Sequence, residues 1–503
     1  MKIPLVMGDA LRRNAAKYPL KVALRDSRHQ ITYRELNDRV NRLANGLLRK
    51  GIRKGDPVGL LVGNRIEHLD IIFALAKIGA LGIPLDIKWR ALEISSTLSS
   101  LQVTTLFLEE DCREEFNRAK QEKDLGSLQT IVIGAASYGE LLRETNAEEP
   151  AVEVEEDDPF LIMLTSGTTG FPKGCLVSHR AYAFSCINNS IEKGLGLHDT
   201  ALLSSPIYFN HGRAYTLAVL FFGGSVIIQP RFDPAEVLRT IERDKVTYLG
   251  AVPTMCERLL QVPELEKIDT SSLRCLSITG GRVHPPVFEG LKKHITPNIF
   301  WTYAATDSGQ MTIAKPKDTE AKPLSSGRPV WCGELRIVDE SGNTLPSGQV
   351  GEILSRSPLT TQGYYKNPDA TELSFRDGWY HTGDLGYFDD EGYLFVAGRK
   401  KDMIKSGGIS VFPLEIEEVL YRHPDVLEAA VVGLPDPEWG EKVQAAVVLK
   451  EGAGTRAEGL VQFCKERLAS YKIPKSVDFF PSLPHTNIGK VDKGKLKEEM
   501  AAK

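Results

Sequence analysis

The chain is poor in cysteine: seven in 503 residues, an odd number, at positions 112, 175, 186, 256, 275, 332 and 464 and without a CxxC pair. Such spacing offers neither a disulfide framework nor a zinc site, so single thiols in a reducing cytosol are expected. Charge of one sign is lacking too. Lys and Arg total 62 against 66 Asp and Glu, for a net charge of −4. That balance gives no electrostatic case for nucleic acid or an anionic membrane, and any nucleotide bound is expected to be a small molecule. Long apolar runs are absent as well. The longest, residues 71–85 and 216–228, are interrupted by Lys77 or by glycines and read as buried core, so no transmembrane segment is expected. Residues 1–18 show no apolar stretch with a small-residue cleavage site, which makes a cytoplasmic location the expectation.

What is present is an alternation of helix-like and strand-like segments, the pattern of an α/β protein. Residues 33–50 carry Leu36, Val40, Leu43 and Leu47 on one helical face, with Gly51 as a stop. A strand over 58–62, a helix over 69–78 and a run ending at Pro84-Leu85 follow. The rhythm recurs at 200–204, 225–229, 248–252 and 276–279. Between 327 and 380 the many Gly/Pro turns and short runs such as 334–338 and 352–355 suggest a small β-rich subdomain. After Gly398 a charged stretch, Arg399-Lys400-Lys401-Asp402, leads into roughly a hundred residues with their own αβ pattern. The expected division is a large domain over 1–398 and a small one over 399–503.

The densest chemistry is Thr165-Ser166-Gly167-Thr168-Thr169-Gly170-Phe171-Pro172-Lys173-Gly174, placed between the apolar run 160–164 and an expected helix. Glycines let backbone N–H groups approach an anion, hydroxyls donate further hydrogen bonds, and Lys173 adds a mobile charge. The block is not a Walker A loop, because Pro172 precedes the lysine and Gly174 follows it. Polyphosphate binding is the reading, against a plain polar surface loop.

Four further clusters each supply something that ATP chemistry needs. Tyr303-Ala304-Ala305-Thr306-Asp307 offers an aromatic face for adenine, a hydroxyl for a phosphate and a carboxylate for Mg²⁺, although a packed ring beside a helix cap would look the same. Trp379-Tyr380-His381-Thr382-Gly383-Asp384 puts a carboxylate beyond a turn, where it could accept two ribose hydroxyls. Gly398 to Asp402 is either a solvated basic face or a clamp between two domains. Pro484-His485-Thr486-Asn487-Ile488-Gly489-Lys490 ends on a lysine able to reach a site formed mostly by the large domain.

In this order the clusters closely resemble the core motifs of the acyl-adenylate-forming superfamily: acyl-CoA synthetases, adenylation domains of peptide synthetases and beetle luciferases. The resemblance runs from Ile31-Thr32-Tyr33-Arg34-Glu35-Leu36 and Gly55-Asp56, through Gly351-Glu352-Ile353 and Gly363-Tyr364, to Gly433-Leu434-Pro435-Asp436 and Gly489-Lys490. It implies an α/β fold: a large N-terminal domain of two αβ subdomains plus a small β-rich one, then a small mobile α+β domain. It also implies ATP, Mg²⁺ and coenzyme A, with a small carboxylic acid as substrate; a homodimer is compatible with it.

By similarity, Thr165, Ser166, Gly167, Thr168, Thr169, Gly170 and Lys173 would hold the β- and γ-phosphates. Thr306 would contact the α-phosphate, Asp307 the Mg²⁺, Tyr303 the adenine, and Asp384 with Arg399 the ribose. Gly280, Gly281 and Arg282 match the segment lining the adenine and acyl pocket. Phe209, His211 and Ala304 would border the acid. Lys490 would bridge the acid and the α-phosphate, Lys401 would be the hinge residue within 399–402, and Ser406, Gly407 and Gly408 would border the pantetheine tunnel. Three departures from the family pattern stand out: Asp307 where glutamate is common, Ala304 where glycine is usual, and His211 two places later than in the common P-x-x-H form.

The leading function is an acid–CoA ligase acting on a medium- or long-chain fatty acid, suggested by Tyr208, Phe209, Val219 and Leu220. The alternatives are an aryl- or dicarboxylic-acid ligase using Arg213 or Arg282, and an amino-acid adenylating module loading a carrier in trans. Asn210 stands where such modules use an aspartate, and no carrier domain follows Lys503. A luciferase-like oxygenase and a degenerate binding protein complete the set.

Overall fold

The computed structural model describes residues 5–143, 146–165, 173–281, 283–485 and 491–502. Among them the strands assemble into four sheets. A six-stranded sheet runs Gln129–Val132, Thr105–Leu108, Pro57–Leu61, Leu81–Pro84, Pro159–Thr165, Lys173–Ser178. A nine-stranded sheet has at its centre the parallel strands Ile299–Ala305, Cys275–Thr279, Tyr248–Ala251, Thr200–Leu203 and Ser225–Ile228.

Both sheets pack on one shared layer of helices: Tyr33–Arg49, Ile66–Ile78, His179–Lys193 and Asn210–Phe221. A single apolar cluster joins Leu60, Phe107 and Phe160 of one sheet, Ala201, Leu203 and Val226 of the other, and Leu36, Ile72 and Leu217 between them. Alternate strand residues point the opposite way. Leu202, Leu249, Leu276 and Ile278 meet the helices Pro234–Asp244, Pro253–Leu260 and Pro285–His294. Leu61, Leu106 and Leu108 meet Ala91–Ser100 and Arg113–Glu122. Parallel strands need cover on both faces, and five alternating layers supply it.

The helix expected over 33–50 forms as Tyr33–Arg49, with Leu36, Val40, Leu43 and Leu47 fully buried. Thr32 and Glu35 cap it reciprocally, each side chain accepting from the other's backbone N–H at 3.3 and 2.8 Å. In Ile66–Ile78 every residue except Glu67 is buried. Among the described residues no helix is long and apolar enough to cross a membrane.

A third sheet holds Glu334–Val338, Gly351–Arg356, Phe375–Arg376, Trp379–Phe388 and Leu394–Arg399. After a short 3-10 turn, Lys400–Asp402, a fourth sheet forms around the long hairpin Val426–Asp436 and Gly440–Leu449. It has apolar clusters of its own on both faces. The helix expected after Gly174 forms only from His179, because the strand Lys173–Ser178 first pairs back along Pro159–Thr165. Gly174, Cys175 and Val177 are buried against the neighbouring strand and core, which a ladder accommodates.

Candidate functional site

A cleft of ≈ 2570 Å³ opens where the parallel strands of the nine-stranded sheet end. Ser204 and Ser205, Pro230, Val252, and Gly280 with Gly281 all follow the carboxyl end of such a strand and line it. Open α/β sheets place ligands in that crevice. Gly280 turns the chain there with φ +88, a left-handed conformation suited to glycine. The opposite side of the cleft is formed by Tyr380 to Asp384, Arg399 and Lys401, and by Glu417, Tyr421, Asp492 and Lys493 from the C-terminal region.

Thr165 and Lys173 are cross-strand partners at the cleft's edge, and the Lys173 ammonium lies 5.1 Å from the centre of the Tyr364 ring. Ser166, Gly167, Thr168, Thr169 and Gly170 lie outside the described residues, as do Arg282 and Lys490. Thr306 and Asp307 occupy the turn between the strands Ile299–Ala305 and Gly309–Ala314, and both line the cleft. Asp307 is buried, accepts a weak hydrogen bond from Cys175 Sγ at 3.5 Å, and faces the hydroxyls of Tyr364 and Tyr380. Burial, followed by the Asp307 charge, pushes the Cys175 thiol far up, so it stays protonated and can donate. Burial likewise raises both phenols, with Asp307 among the further causes.

Tyr303 reaches the site indirectly. Its ring packs against the third sheet's cluster of Ile337, Ile353 and Leu394, and its hydroxyl donates to Asp384 Oδ2 at 2.6 Å. The ladder slips between Tyr303 and Ala304, and it is Ala304 and Ala305 that line the cleft. Asp384 stands directly opposite Arg399 across two paired strands, with Arg399 Nε 2.9 Å from Oδ1. The expected turn at Thr382-Gly383-Asp384 is a bulged stretch of strand. The ladder slips between Glu352 and Leu354, and Gly383 adopts φ +67. Ser406, Gly407 and Gly408 do not line the cleft. They form the turn of a hairpin whose Gly407 N–H donates to the Trp439 carbonyl at 2.8 Å.

Phe209, His211, Gly280 and Ala304, the residues expected beside the acid, line the cleft. The His211 ring meets Tyr215 edge-on at 5.5 Å. Burial, with the Lys193 charge next, pulls its pKa down to about 4, so it is neutral near pH 7. Val219 and Leu220 belong instead to the shared core layer. Arg213 is buried and donates from Nη1 to the carbonyls of Ile207 and Tyr208, both at 3.1 Å, which fixes the turn before its helix. Sequence reading missed Ser185, Asn189 and Lys193, which line this side from the helix His179–Lys193. Their i, i+4, i+8 spacing was the available signal.

A cleft at the carboxyl ends of a parallel sheet, flanked by residues of a C-terminal unit, suits a nucleotide-using enzyme, and the chain's relatives make it an adenylate-forming one. The chain belongs to the AMP-binding enzyme family, the AMP-forming synthetases: that family's model matches residues 11–365, and the model of the AMP-binding enzyme C-terminal domain matches 415–490. It is 34% identical over 504 residues to a feruloyl-CoA synthase from an Amycolatopsis species, covering 98% of each chain. It is 35% identical over 476 residues to a long-chain-fatty-acid–CoA ligase from Mycobacterium tuberculosis, covering 94% of each. Among solved structures, ATP-bound MatB from Rhodopseudomonas palustris superposes with a TM-score of 0.92 at 29% identity, over 99% of both chains.

Proposed function

We propose that the chain is an ATP-dependent, AMP-forming acid–CoA ligase. The observation that carries this reading is the Tyr303–Asp384–Arg399 cluster, held on the same cleft as Thr306, Asp307 and Lys173. In the first step a substrate carboxylate oxygen attacks the α-phosphorus of ATP. The bond to pyrophosphate breaks, leaving an acyl-adenylate. Two anions must meet, so charge neutralisation and alignment carry the catalysis. Lys173 and the hydroxyls of the 165–170 block would hold the β- and γ-phosphates, Thr306 the α-phosphate, and Lys490 the acid and α-phosphate together. Asp384, oriented by Tyr303 and Arg399, would accept the ribose hydroxyls.

The Asp307 carboxylate borders the cleft beside Thr306 and suits Mg²⁺, which takes one or two carboxylates together with phosphate oxygens. Bound there, the ion would neutralise phosphate charge. In the second step the coenzyme A thiol gives up its proton and attacks the acyl carbon, and the bond to AMP breaks. For that step the domain after 398 would turn about residues 399–402, with Lys401 as hinge, and bring Ser406, Gly407 and Gly408 to the thiol's path. The seven free thiols suit a reducing, cytoplasmic setting.

A medium- or long-chain fatty acid finds support in Tyr208 and Phe209. The second reading, an aryl or dicarboxylic acid, is favoured by the polar lining from Ser185, Asn189 and Gln310. The test is acid-dependent pyrophosphate release across fatty, aryl, dicarboxylic and amino acids, with and without coenzyme A. Release with at least one acid, and a thioester only with coenzyme A, is expected. Silence with every acid sinks the reading.

A further inference from the structure

The helix His179–Lys193 runs one polar stripe, Ser185, Asn189 and Lys193, along the acid side of the cleft. Lys193 at its end is 6% exposed, and its ammonium donates to Asn189 Oδ1 at 2.9 Å. Among the described residues no carboxylate lies within ion-pair distance of it. Glu192 is turned elsewhere: its oxygens take Lys315 Nζ at 2.8 Å and the Trp331 N–H at 2.9 Å. Asp199 is held by Arg274 Nε at 2.7 Å. Burying an ammonium with one neutral partner is costly, and the negative end of its own helix offsets only part of that. Burial lowers the Lys193 pKa to about 8, which leaves the ammonium form dominant at neutral pH.

A second observation concerns the walls around it. His211 Nε2 and Gln310 Nε2 are buried without a hydrogen-bond partner and line the same cleft; Thr302 Oγ1 is a third such atom, at the Gly280 end, where Thr302 pairs with Thr279. Buried polar atoms are normally satisfied, so a wall with two orphans and a cation without a carboxylate is one built for a ligand's polar atoms.

Resting on the ligase reading, we propose that the deep end of the acid pocket recognises an acceptor oxygen at the far end of the substrate, and that Lys193 is the specificity-determining residue. The chemistry is that of a terminal phenol or a second carboxylate. The position fits. Lys193 lies near Cys275, which opens the strand ending at Thr279, whereas the nucleotide-side turn begins at Gly280. At the usual rise per residue that run spans on the order of 16 Å, the scale of a short aryl or diacid substrate plus a lysine side chain.

The experiment compares kcat/KM for pyrophosphate release with two matched pairs, cinnamate against 4-hydroxycinnamate and hexanoate against adipate, using the full-length protein. Wild type is expected to favour the oxygen-bearing member of one pair by about tenfold or more, because a site built to hydrogen-bond a substrate group discriminates strongly against its absence. The pair that responds tells phenol from carboxylate. Lys193→Met is expected to erase that preference by lowering only the oxygen-bearing member, with the KM for ATP unchanged. Should Lys193→Met fail to fold, Asn189→Leu, which removes the ammonium's hydrogen-bond partner, must weaken the same preference. Wild type favouring cinnamate and hexanoate, or a variant lowering both members of a pair equally, overturns the proposal. A protein that releases pyrophosphate with these acids and shows either result keeps its ligase reading and loses only this one. One that releases none with any acid loses both.

Discussion

The two walls of the cleft differ in how their charged groups are paired. On the proposed nucleotide side the carboxylates already have partners: Tyr303 donates to Asp384 Oδ2, Arg399 forms an ion pair with Asp384, whose Oδ1 makes no hydrogen bond, and Cys175 donates to Asp307. On the proposed acid side more is left open, with Lys193 on a single amide and the atoms His211 Nε2 and Gln310 Nε2 without hydrogen-bond partners. Networks that hold themselves rigid suit a substrate that never changes, because preorganised donors and acceptors need no rearrangement when it binds. Open, buried groups suit discrimination, because the wrong substrate leaves them unpaired. Damage to the first wall should therefore act on the reaction whatever the acid, and damage to the second on the ranking of acids.

The largest effect is expected from Lys490→Ala. Acyl-adenylate formation should fall about a thousandfold or more, the scale of a lost charge stabiliser in a transition state. Thioester formation from supplied acyl-adenylate should stay within a few-fold, as single-turnover assays of the two half-reactions would report. Equal loss in both would contradict a lysine that serves one step only. Next comes Leu36→Ala, in the layer both sheets share. It should cost about 2–5 kcal/mol in denaturant unfolding while leaving the ranking of acids intact. A changed ranking would show that general loosening mimics specificity.

Asp384→Asn removes the charge that Arg399 and Tyr303 both address. A charged hydrogen bond is worth roughly 1.5–3 kcal/mol, so the KM for ATP should rise about ten- to a hundredfold for every acid alike. An acid-dependent rise would dissolve the division between the walls. The smallest effect belongs to Ala304→Gly, which deletes one methyl facing the cleft. It should change kcat/KM among acids by no more than about tenfold, with larger acids gaining. A uniform change for all acids would move Ala304 to the nucleotide wall.

How much of this was legible in sequence follows the same division. The residues proposed for the nucleotide wall come in short contiguous runs on turns and strand ends, where glycine, hydroxyl and charge cluster visibly. Even there, contiguity misled at one point. Tyr303 and Ala304 are neighbours in the motif, yet across a slip in the ladder the ring packs on the third sheet's cluster while Ala304 lines the cleft. The strand over Lys173–Ser178 does not show in the residues themselves, because hairpin pairing is a long-range fact that local composition does not carry. The acid wall was read poorly for a different reason. Ser185, Asn189 and Lys193 on one helical face look like an ordinary solvated stripe, and Val219 and Leu220 look like pocket lining. Packing reverses both: the stripe is inside the cleft and the apolar pair fills the layer between the sheets.

The most direct test measures Asp384→Asn and Lys193→Met side by side, recording the KM for ATP and the ranking of the four matched acids for each. The separation of the walls predicts that Asp384→Asn shifts the KM for ATP and keeps the ranking, and that Lys193→Met shifts the ranking and keeps the KM for ATP. Either variant moving both quantities together would contradict it.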